Sequence, residues 1–230
     1  MVLQANEHAT MCLAGQVGIT IPETALWDRS SIDDLGPGAW PAGESRAYVI
    51  RRFDRIEQGR VHIEDFAQVL GKHGIGEGKY RSAVEMTAAI AYRGHDRASL
   101  RELVRRTVFN LLAGNGDAHL KNWSLIYPDR RTARLSPAYD LVCTASHLPN
   151  PENPDLALPF FGERTLDAVT RGLFARLQKQ LRVGDEDVLD VVDETVERFR
   201  EAWAAGPDMP DAVAAWIAEH LDPTSRRLSA

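Results

Sequence analysis

The sequence has 230 residues, of which 44% are hydrophobic and 26% charged, the composition of a soluble globular protein with one large or two small domains. Its formal net charge of −6 argues against a broad nucleic-acid surface, although a local basic patch is compatible with it. No export signal precedes the first helix, and no apolar run approaches the roughly 20 residues of a membrane span. We therefore expect a cytoplasmic protein, with Cys12 and Cys143 as reduced, partly buried thiols.

The first quarter of the chain predicts one helix and two strands. Residues 5–17 place apolar side chains at helical spacing, and residues 19–27 (ITIPETALW) and 46–55 (RAYVIRRFDR) are typical of extended segments. The glycines and prolines of DLGPGAWPAGES, residues 34–45, predict a loop between the strands. One helix and two strands are too few for a domain, so their sheet should have further strands elsewhere.

Helices dominate the remainder of the chain. Residues 62–71 and 81–92 predict short amphipathic helices, and residues 95–113 predict a long one with a capping box at Ser99 and Glu102. Residues 122–140 predict a hairpin and residues 146–160 a proline-rich loop. Apolar stripes at helical spacing predict three final helices, over residues 166–181, 188–203 and 213–221.

A polar cluster, GDAHLKN, lies between the long helix and the hairpin. Asp117 precedes Asn122 by five positions, as in the catalytic loop of protein kinases, and Asp140 follows at the far end of the hairpin. Phosphoryl transfer needs a carboxylate that accepts the proton of the attacking hydroxyl, and an amide and a second carboxylate that hold Mg²⁺. Lys121 adds a cation that could reach the phosphoryl group, and His119 could orient the loop or touch a phosphate.

Other interpretations of this cluster stay open on spacing alone. Asp117 could form an Asx-turn after the helix, and Asp140 could be a cap. A metal-dependent hydrolase using Asp117, His119 and Asp140 is less well supported, because no second nitrogen ligand is spaced nearby.

The stretches FNLLAGNGDAHLKNWSLIY and RLSPAYDLVCT closely resemble the HipA-like serine/threonine kinases, the toxin kinases of bacterial toxin–antitoxin pairs. Further stretches along essentially the whole chain are similar to that family. The resemblance implies an α+β, mostly α, protein-kinase-like fold with a helical C-lobe at residues 58–230. Residues 1–57 would be a remnant of the N-lobe, 114–122 the catalytic loop and 136–142 the metal-binding segment.

The resemblance also implies a function: ATP- and Mg²⁺-dependent phosphorylation of a protein serine or threonine. It makes Asp117 the catalytic base, Asn122 and Asp140 the Mg²⁺ ligands, and His119 and Lys121 helpers on the phosphate side. It places the adenine beside Arg52 and Phe53 and the ribose near Asp54. Where Arg51 stands the family usually has an acid, a change that is tolerable if this position contacts adenine through its backbone carbonyl.

The same resemblance implies partners, and it shows that two nucleotide-binding features of kinases are missing from this sequence. The family's usual target is an aminoacyl-tRNA synthetase and its usual partner a small DNA-binding antitoxin; neither direct nucleic-acid binding nor a membrane role is expected of this chain. A kinase needs a Gly-rich loop and a strand lysine on the phosphates, yet no lysine precedes Lys72. The chain could be a truncated remnant, could be completed by a separate N-lobe subunit, or could be a silent interaction module. Glu7 could pair with such a lysine or be an exposed acid in the first turn of its helix.

Overall fold

The computed structural model describes residues 3–32, 40, 45–72, 77–148 and 154–230. The α-helices of this part of the chain are α1 (Leu3–Gln16), α2 (Phe66–Val69), α3 (Val84–Ala91), α4 (Arg97–Ala113), α5 (Arg171–Leu181), α6 (Leu189–Ala204) and α7 (Asp211–Ser229). Its strands are β1 (Thr24–Asp28), β2 (Arg46–Ile50), β3 (Arg55–Ile56), β4 (Gly59–Arg60), β5 (His62–Asp65), β6 (Ser124–Tyr127), β7 (Arg134–Leu135), β8 (Asp155–Phe160) and β9 (Glu163–Thr165). The predicted α+β, mostly helical class is confirmed.

The N-terminal prediction of a helix and two strands is confirmed. β1 pairs antiparallel with β2, with Leu26 opposite Tyr48 in the register. The predicted loop at residues 34–45 lies outside the described residues except for Trp40 and Ser45. Cys143 is buried as expected, but Cys12 is exposed, because it stands on the outer face of α1.

The short helix predicted over residues 62–71 is wrong in its first part, which is a strand. His62–Asp65 form β5, which pairs antiparallel with β6, and only Phe66–Val69 are helical. Asp65 switches the backbone from strand to helix, because its side chain accepts the Gln68 N–H while the Gln68 side chain accepts the Asp65 N–H. The predicted hairpin is confirmed, with β6 and β7 antiparallel.

The long helix α4 is confirmed, but its predicted cap is misplaced by three residues. Asp96 is the N-cap and accepts the backbone N–H of Ser99 at 3.0 Å. Ser99 instead lies inside the helix, where its hydroxyl donates to Asp96 and accepts the Leu135 N–H at 2.8 Å. Glu102 pairs with arginines on the same helix, described below.

The segment 146–160 is not all loop. Residues 149–153 lie outside the described part, but Asp155–Phe160 form β8 and pair with β9, because alternate side chains of this segment, such as Leu158 and Phe160, are buried. The three final helices are confirmed as α5, α6 and α7.

One hydrophobic core joins the N-terminal helix to the helical bundle. Met11 and Leu13 of α1 belong to the same buried cluster as Phe109 of α4, Phe199 of α6 and Trp216 of α7. The centroids of the Phe109 and Phe199 rings lie 5.5 Å apart.

The predicted division of the chain at residue 57, into a remnant of the N-lobe and a C-lobe, stays a prediction. None of the helices in the described ranges combines the length and apolar character needed to cross a bilayer.

Candidate active site

The loop after α4 is fixed by glycines and backbone bonds. Gly114 ends the helix with a left-handed backbone (φ 70°). The Gly116 N–H donates to the Thr144 hydroxyl (2.8 Å), and its carbonyl accepts the Ala157 N–H (2.7 Å). A Cβ on Gly116 would lie 2.4 Å from the Asp155 carbonyl oxygen, so only glycine fits between loop and strand. The loop is therefore held in one conformation from both sides.

Asp117 lies exposed at the tip of this loop. Its backbone N–H donates to the Asn115 side chain (3.2 Å), so Asn115 rather than Asp117 forms the Asx-turn. One carboxylate oxygen accepts the Tyr80 hydroxyl at 3.1 Å. The side chain of Asp117 is thus directed away from its own loop and toward a hydroxyl group, the partner that a general base requires.

Asn122 and Asp140 come together although 18 positions separate them. The Asn122 amide donates to the Asp140 carboxylate, while its oxygen accepts the His119 backbone N–H at 3.0 Å. Asp140 has a left-handed backbone (φ 58°), which few residues other than glycine, asparagine and aspartate adopt. The structure therefore brings the two predicted metal ligands into contact, and Asp140 does not act as a cap.

Three anchors hold the segment that carries Asp140. Arg106, buried in α4, donates to the Ser136 carbonyl (2.6 Å), and the Ala138 N–H donates to the Thr20 carbonyl (2.8 Å). Beyond Asp140, the side chain of Asn6 accepts the N–H of Cys143 and donates to its carbonyl, both at 3.0 Å. The anchors on either side explain how an unusual backbone conformation persists at Asp140.

His119 lies beside both acids but is buried. Its ring packs edge-on against Tyr80, with 5.5 Å between centroids, and Nδ1 has no hydrogen-bond partner among the described residues. Burial lowers the pKa of His119, and Lys79 lowers it further, whereas Asp117 and Asp140 act in the opposite direction. The neutral imidazole is therefore favoured, so its predicted contact with a phosphate would be a hydrogen bond rather than an ion pair.

Glu7 faces this site from α1, and the interpretation as an exposed first-turn acid is wrong. Its side chain is partly buried, and it forms no ion pair or hydrogen bond with the described residues. Burial, aided by the charge of Asp140, raises the pKa of Glu7 to about 7. Burial and the charge of Glu7 also raise the pKa of Tyr48, whose hydroxyl has no hydrogen-bond partner among the residues that the structure describes. Glu7 and Asp140 therefore lie close together, and neither forms an ion pair with a lysine or arginine among the described residues.

We expect Glu7→Gln to stabilise the protein at neutral and alkaline pH. The raised pKa means that the contribution of Glu7 to folding is fully present below pH 4.5 and is lost as the pH rises through about 7. After allowance for solvent screening, the variant should gain about 1–2 kcal/mol in free energy of unfolding above that range and nothing below it. Urea unfolding at both ends of the range measures this difference. Exposed Glu219→Gln is the control, and a gain independent of pH would contradict the assignment.

The predicted nucleotide-binding residues line a cavity of about 300 Å³ next to the site. Phe53 stacks on Tyr139 with ring centroids 5.9 Å apart, and Lys121 lines the same cavity. The Tyr139 hydroxyl donates to the Lys121 carbonyl at 2.8 Å, which ties the catalytic loop to the segment carrying Asp140. An aromatic wall beside a lysine suits a flat, anionic ligand.

Asp54 is engaged by arginines rather than free. Arg52 donates to both carboxylate oxygens (2.9 and 2.7 Å), and Arg55 donates to one of them. The hydrogen bond from Arg52 lowers the pKa of Asp54 to about 2. A ribose hydroxyl would compete with these bonds, so the ribose contact stays a prediction. Arg51 pairs with exposed Glu23 at 3.0 Å.

The side chains present fit Mg²⁺ together with a nucleotide better than they fit a metal alone. Within the described ranges no group of three or more histidine, cysteine or acidic side chains is arranged to hold a metal. Mg²⁺ usually takes one or two carboxylates, several waters and substrate phosphates. Asn122 and Asp140 supply oxygen ligands of this kind, and the carboxyl group of Glu7 nearby also favours a cation.

Two contributors to the site were not predicted from sequence. Tyr80 reaches Asp117 from a separate turn, and no local pattern indicates this contact. The sequence does indicate a role for Asn6, because this residue lies on the apolar face of α1, three positions before Ala9 and seven before Leu13. A polar residue on a buried helical face requires hydrogen-bond partners.

Comparisons with known proteins identify the family. The family model for the HipA-like C-terminal domain matches residues 1–203 of this chain. Two curated proteins similar to this chain are named "Putative kinase": Y4dM of Sinorhizobium fredii, 41% identical over 94% of this chain, and a Haemophilus influenzae protein, 32% identical over 68%. These alignments cover 52% and 46% of the relatives, so the chain spans about half their length.

Solved structures agree in fold. The chain is similar to HipA of Shewanella oneidensis, solved with HipB and operator DNA, with a TM-score of 0.66, 22% identity, and coverage of 98% of this chain and 55% of that one. It is also similar to the Helicobacter pylori proinflammatory kinase CtkA, with a TM-score of 0.59, 14% identity, and coverage of 99% and 85%. With its family match, its relatives named as kinases and its kinase-like fold, the chain belongs to the HipA-like C-terminal domain family.

Proposed function

We propose that this chain carries the catalytic residues of a HipA-like kinase that transfers the γ-phosphoryl group of ATP to a serine or threonine of a protein. The proposal is carried by one observation: Asn122 and Asp140 meet directly beside the loop that presents Asp117. A kinase site needs one base and two oxygen ligands within reach of the same phosphates.

Asp117 is the proposed general base. In the structure its carboxylate accepts a hydroxyl hydrogen from Tyr80 at 3.1 Å, within the range in which a base takes up a proton. A substrate serine or threonine would replace Tyr80 as the donor. Lys121, exposed at the cavity with Phe53, is proposed to contact the phosphate groups.

Asn122 and Asp140 are the proposed Mg²⁺ ligands. The bound ion would neutralise negative charge on the phosphates during transfer. The anchored segment around Asp140 holds this carboxylate in place before the ion binds. Binding of the ion would therefore cost little conformational entropy in this segment. Arg52 and Phe53 are proposed to border the adenine.

Substrate and partners are further proposals. An aminoacyl-tRNA synthetase is the proposed target and a small DNA-binding antitoxin the proposed partner; the HipA of Shewanella oneidensis was solved in a complex with HipB. A separate subunit could supply a lysine opposite Glu7, which has no cationic partner in the described part of the chain. Without such phosphate contacts we expect the chain alone to be at least about 10²–10³-fold slower than a complete kinase.

Isothermal titration with ATP and Mg²⁺ tests the proposal. We expect saturable binding that requires Mg²⁺, and Asp140→Asn should raise the Kd at least about tenfold because one ligand charge is lost. Asp208→Asn, at an exposed position that does not line the cavity with Phe53, is the matched control and should bind like the unchanged chain.

The second candidate is a catalytically silent interaction module. The same titration distinguishes it from a kinase, because a silent module would give no Mg²⁺-dependent heat with ATP. Nucleotide binding unaffected by Asp140→Asn would refute the metal site while leaving the fold assignment intact.

A further inference from the structure

A groove of about 1160 Å³ lies outside the proposed active site. The corner between α3 and α4 forms one wall, and the β6–β7 hairpin forms the other. Neither Asp117, Asn122 nor Asp140 lines it, and it shares no residue with the cavity at Phe53. The groove is therefore a separate surface.

Arginines dominate the charge of this groove. Five line it, namely Arg93, Arg101, Arg105, Arg131 and Arg134, against two acids, Asp96 and Glu102, so the lining carries a formal charge of 5 − 2 = +3. The whole chain has a net charge of −6. A positive groove on a negatively charged protein attracts an anionic partner to this surface in particular.

Both acids in the groove are already engaged. Asp96 accepts the N–H and the hydroxyl of Ser99 as the N-cap of α4. Glu102 accepts hydrogen bonds from Arg105 (3.1 Å) and Arg106 (3.0 Å) and from the Thr20 N–H (3.1 Å). Both carboxylates are therefore held by bonds within the fold, and neither forms an ion pair with Arg93, Arg131 or Arg134.

Three of the arginines have no hydrogen-bond or ion-pair partner in the described part of the chain. The guanidinium groups of Arg93, Arg131 and Arg134 are exposed and make no hydrogen bond or ion pair with any residue that the structure describes. Arg101, in contrast, donates to the Glu186 carbonyl (2.7 Å), and Arg105 also pairs with Glu194 (3.5 Å). The three unpaired groups supply forked donors that match carboxylates on a ligand.

The groove is apolar between its charges. Ile90, Leu125, Leu135 and Ala133 line it together with Tyr127. Its volume exceeds the ~300–1,000 Å³ of typical small-molecule pockets, and its apolar side chains suit a peptide better than a nucleic-acid duplex, which binds proteins mainly through its phosphates. We infer that this groove binds an acidic peptide segment of a partner protein, with carboxylates on Arg93, Arg131 and Arg134 and apolar side chains between them. Arginine clusters recognise acidic motifs in this manner in other proteins.

The test uses a short fluorescein-labelled peptide in which glutamate and leucine alternate, titrated with the whole chain in a fluorescence-anisotropy assay. We expect binding that weakens as salt is raised, because exposed charges are screened. Replacing Arg93, Arg131 and Arg134 together by alanine should raise the Kd about tenfold or more. The matched control replaces Arg46, Arg60 and Arg164, three exposed arginines outside the groove, and should leave the Kd unchanged.

Three results would overturn the inference. The groove variant could bind the peptide as tightly as the unchanged chain, or a peptide with lysine in place of glutamate could bind equally well. A duplex DNA fragment could also bind more tightly than the peptide through the same arginines, which would make the ligand a nucleic acid. Circular dichroism of both triple variants verifies that they fold, as expected for exposed side chains that make no hydrogen bond or ion pair with the described residues. None of these readouts depends on phosphoryl transfer.

Discussion

Asp117→Asn is expected to lower phosphoryl transfer by this chain at least about 100-fold, the lower end of what a positioned general base contributes. Asparagine has nearly the same shape and can still accept the Tyr80 hydroxyl, but it cannot take up the proton of an attacking serine or threonine. Transfer from radiolabelled ATP to a protein substrate, followed over long incubations, makes even a slow reaction measurable.

Two comparisons make this result specific to the base. Asp208→Asn removes an exposed carboxylate in the connection between α6 and α7 and should leave the rate unchanged. The Kd for ATP with Mg²⁺ should change little in Asp117→Asn, because the proposed base contacts the acceptor hydroxyl and not the nucleotide. The same Kd should rise in Asp140→Asn, because Asp140 is a proposed ligand of the Mg²⁺ ion. Undiminished transfer in Asp117→Asn would exclude this residue as the base even if nucleotide binding were intact.

Local patterns predicted those parts of the fold that depend on neighbouring residues. The apolar stripe of α4 and the left-handed glycine at its end, Gly114, are properties of one continuous segment. The same holds for the loop from Asp117 to Asn122, whose position between helix and hairpin is set by the elements on either side. The roles of these loop residues stay predictions, but their placement in one site follows from the local order of elements.

The errors arose where distant segments decide the structure. Residues 62–65 have a pattern that suits a helix, but pairing with β6, about sixty positions later, makes them a strand. In the same way β8 follows a proline-rich stretch and is stabilised by pairing with β9. At the start of α4, Asp96 replaces Ser99 as the N-cap, and Glu102 binds Arg105 and Arg106 instead of completing the predicted capping box. Spacing alone does not show which of several suitable partners a side chain takes.

Asn6→Ala is expected to lower the free energy of unfolding by about 2–4 kcal/mol: the buried N–H of Cys143 loses its partner, at about 1–3 kcal/mol, and the Cys143 carbonyl loses one bond, at about 1 kcal/mol, while it keeps the Ser146 hydroxyl at 2.8 Å. The side chain of Asn6 and all of Cys143 are inaccessible to solvent, so water cannot replace the lost bonds. Thr10→Val is the matched control, since it removes only the 3.1 Å bond from the Thr10 hydroxyl to Asn6 and should cost about 1 kcal/mol. Urea unfolding measures both.

The same variant connects stability to the proposed site. Cys143 follows Asp140 by three positions, so loss of the Asn6 anchor frees one end of the segment in which Asp140 holds its left-handed backbone. In the fraction that remains folded, we expect Asn6→Ala to raise the Kd for ATP with Mg²⁺, while Thr10→Val leaves it near that of the unchanged chain. If Asn6→Ala destabilised the fold but left nucleotide affinity intact, the anchor would serve the core alone, and Asp140 would be positioned by Arg106 and Asn122.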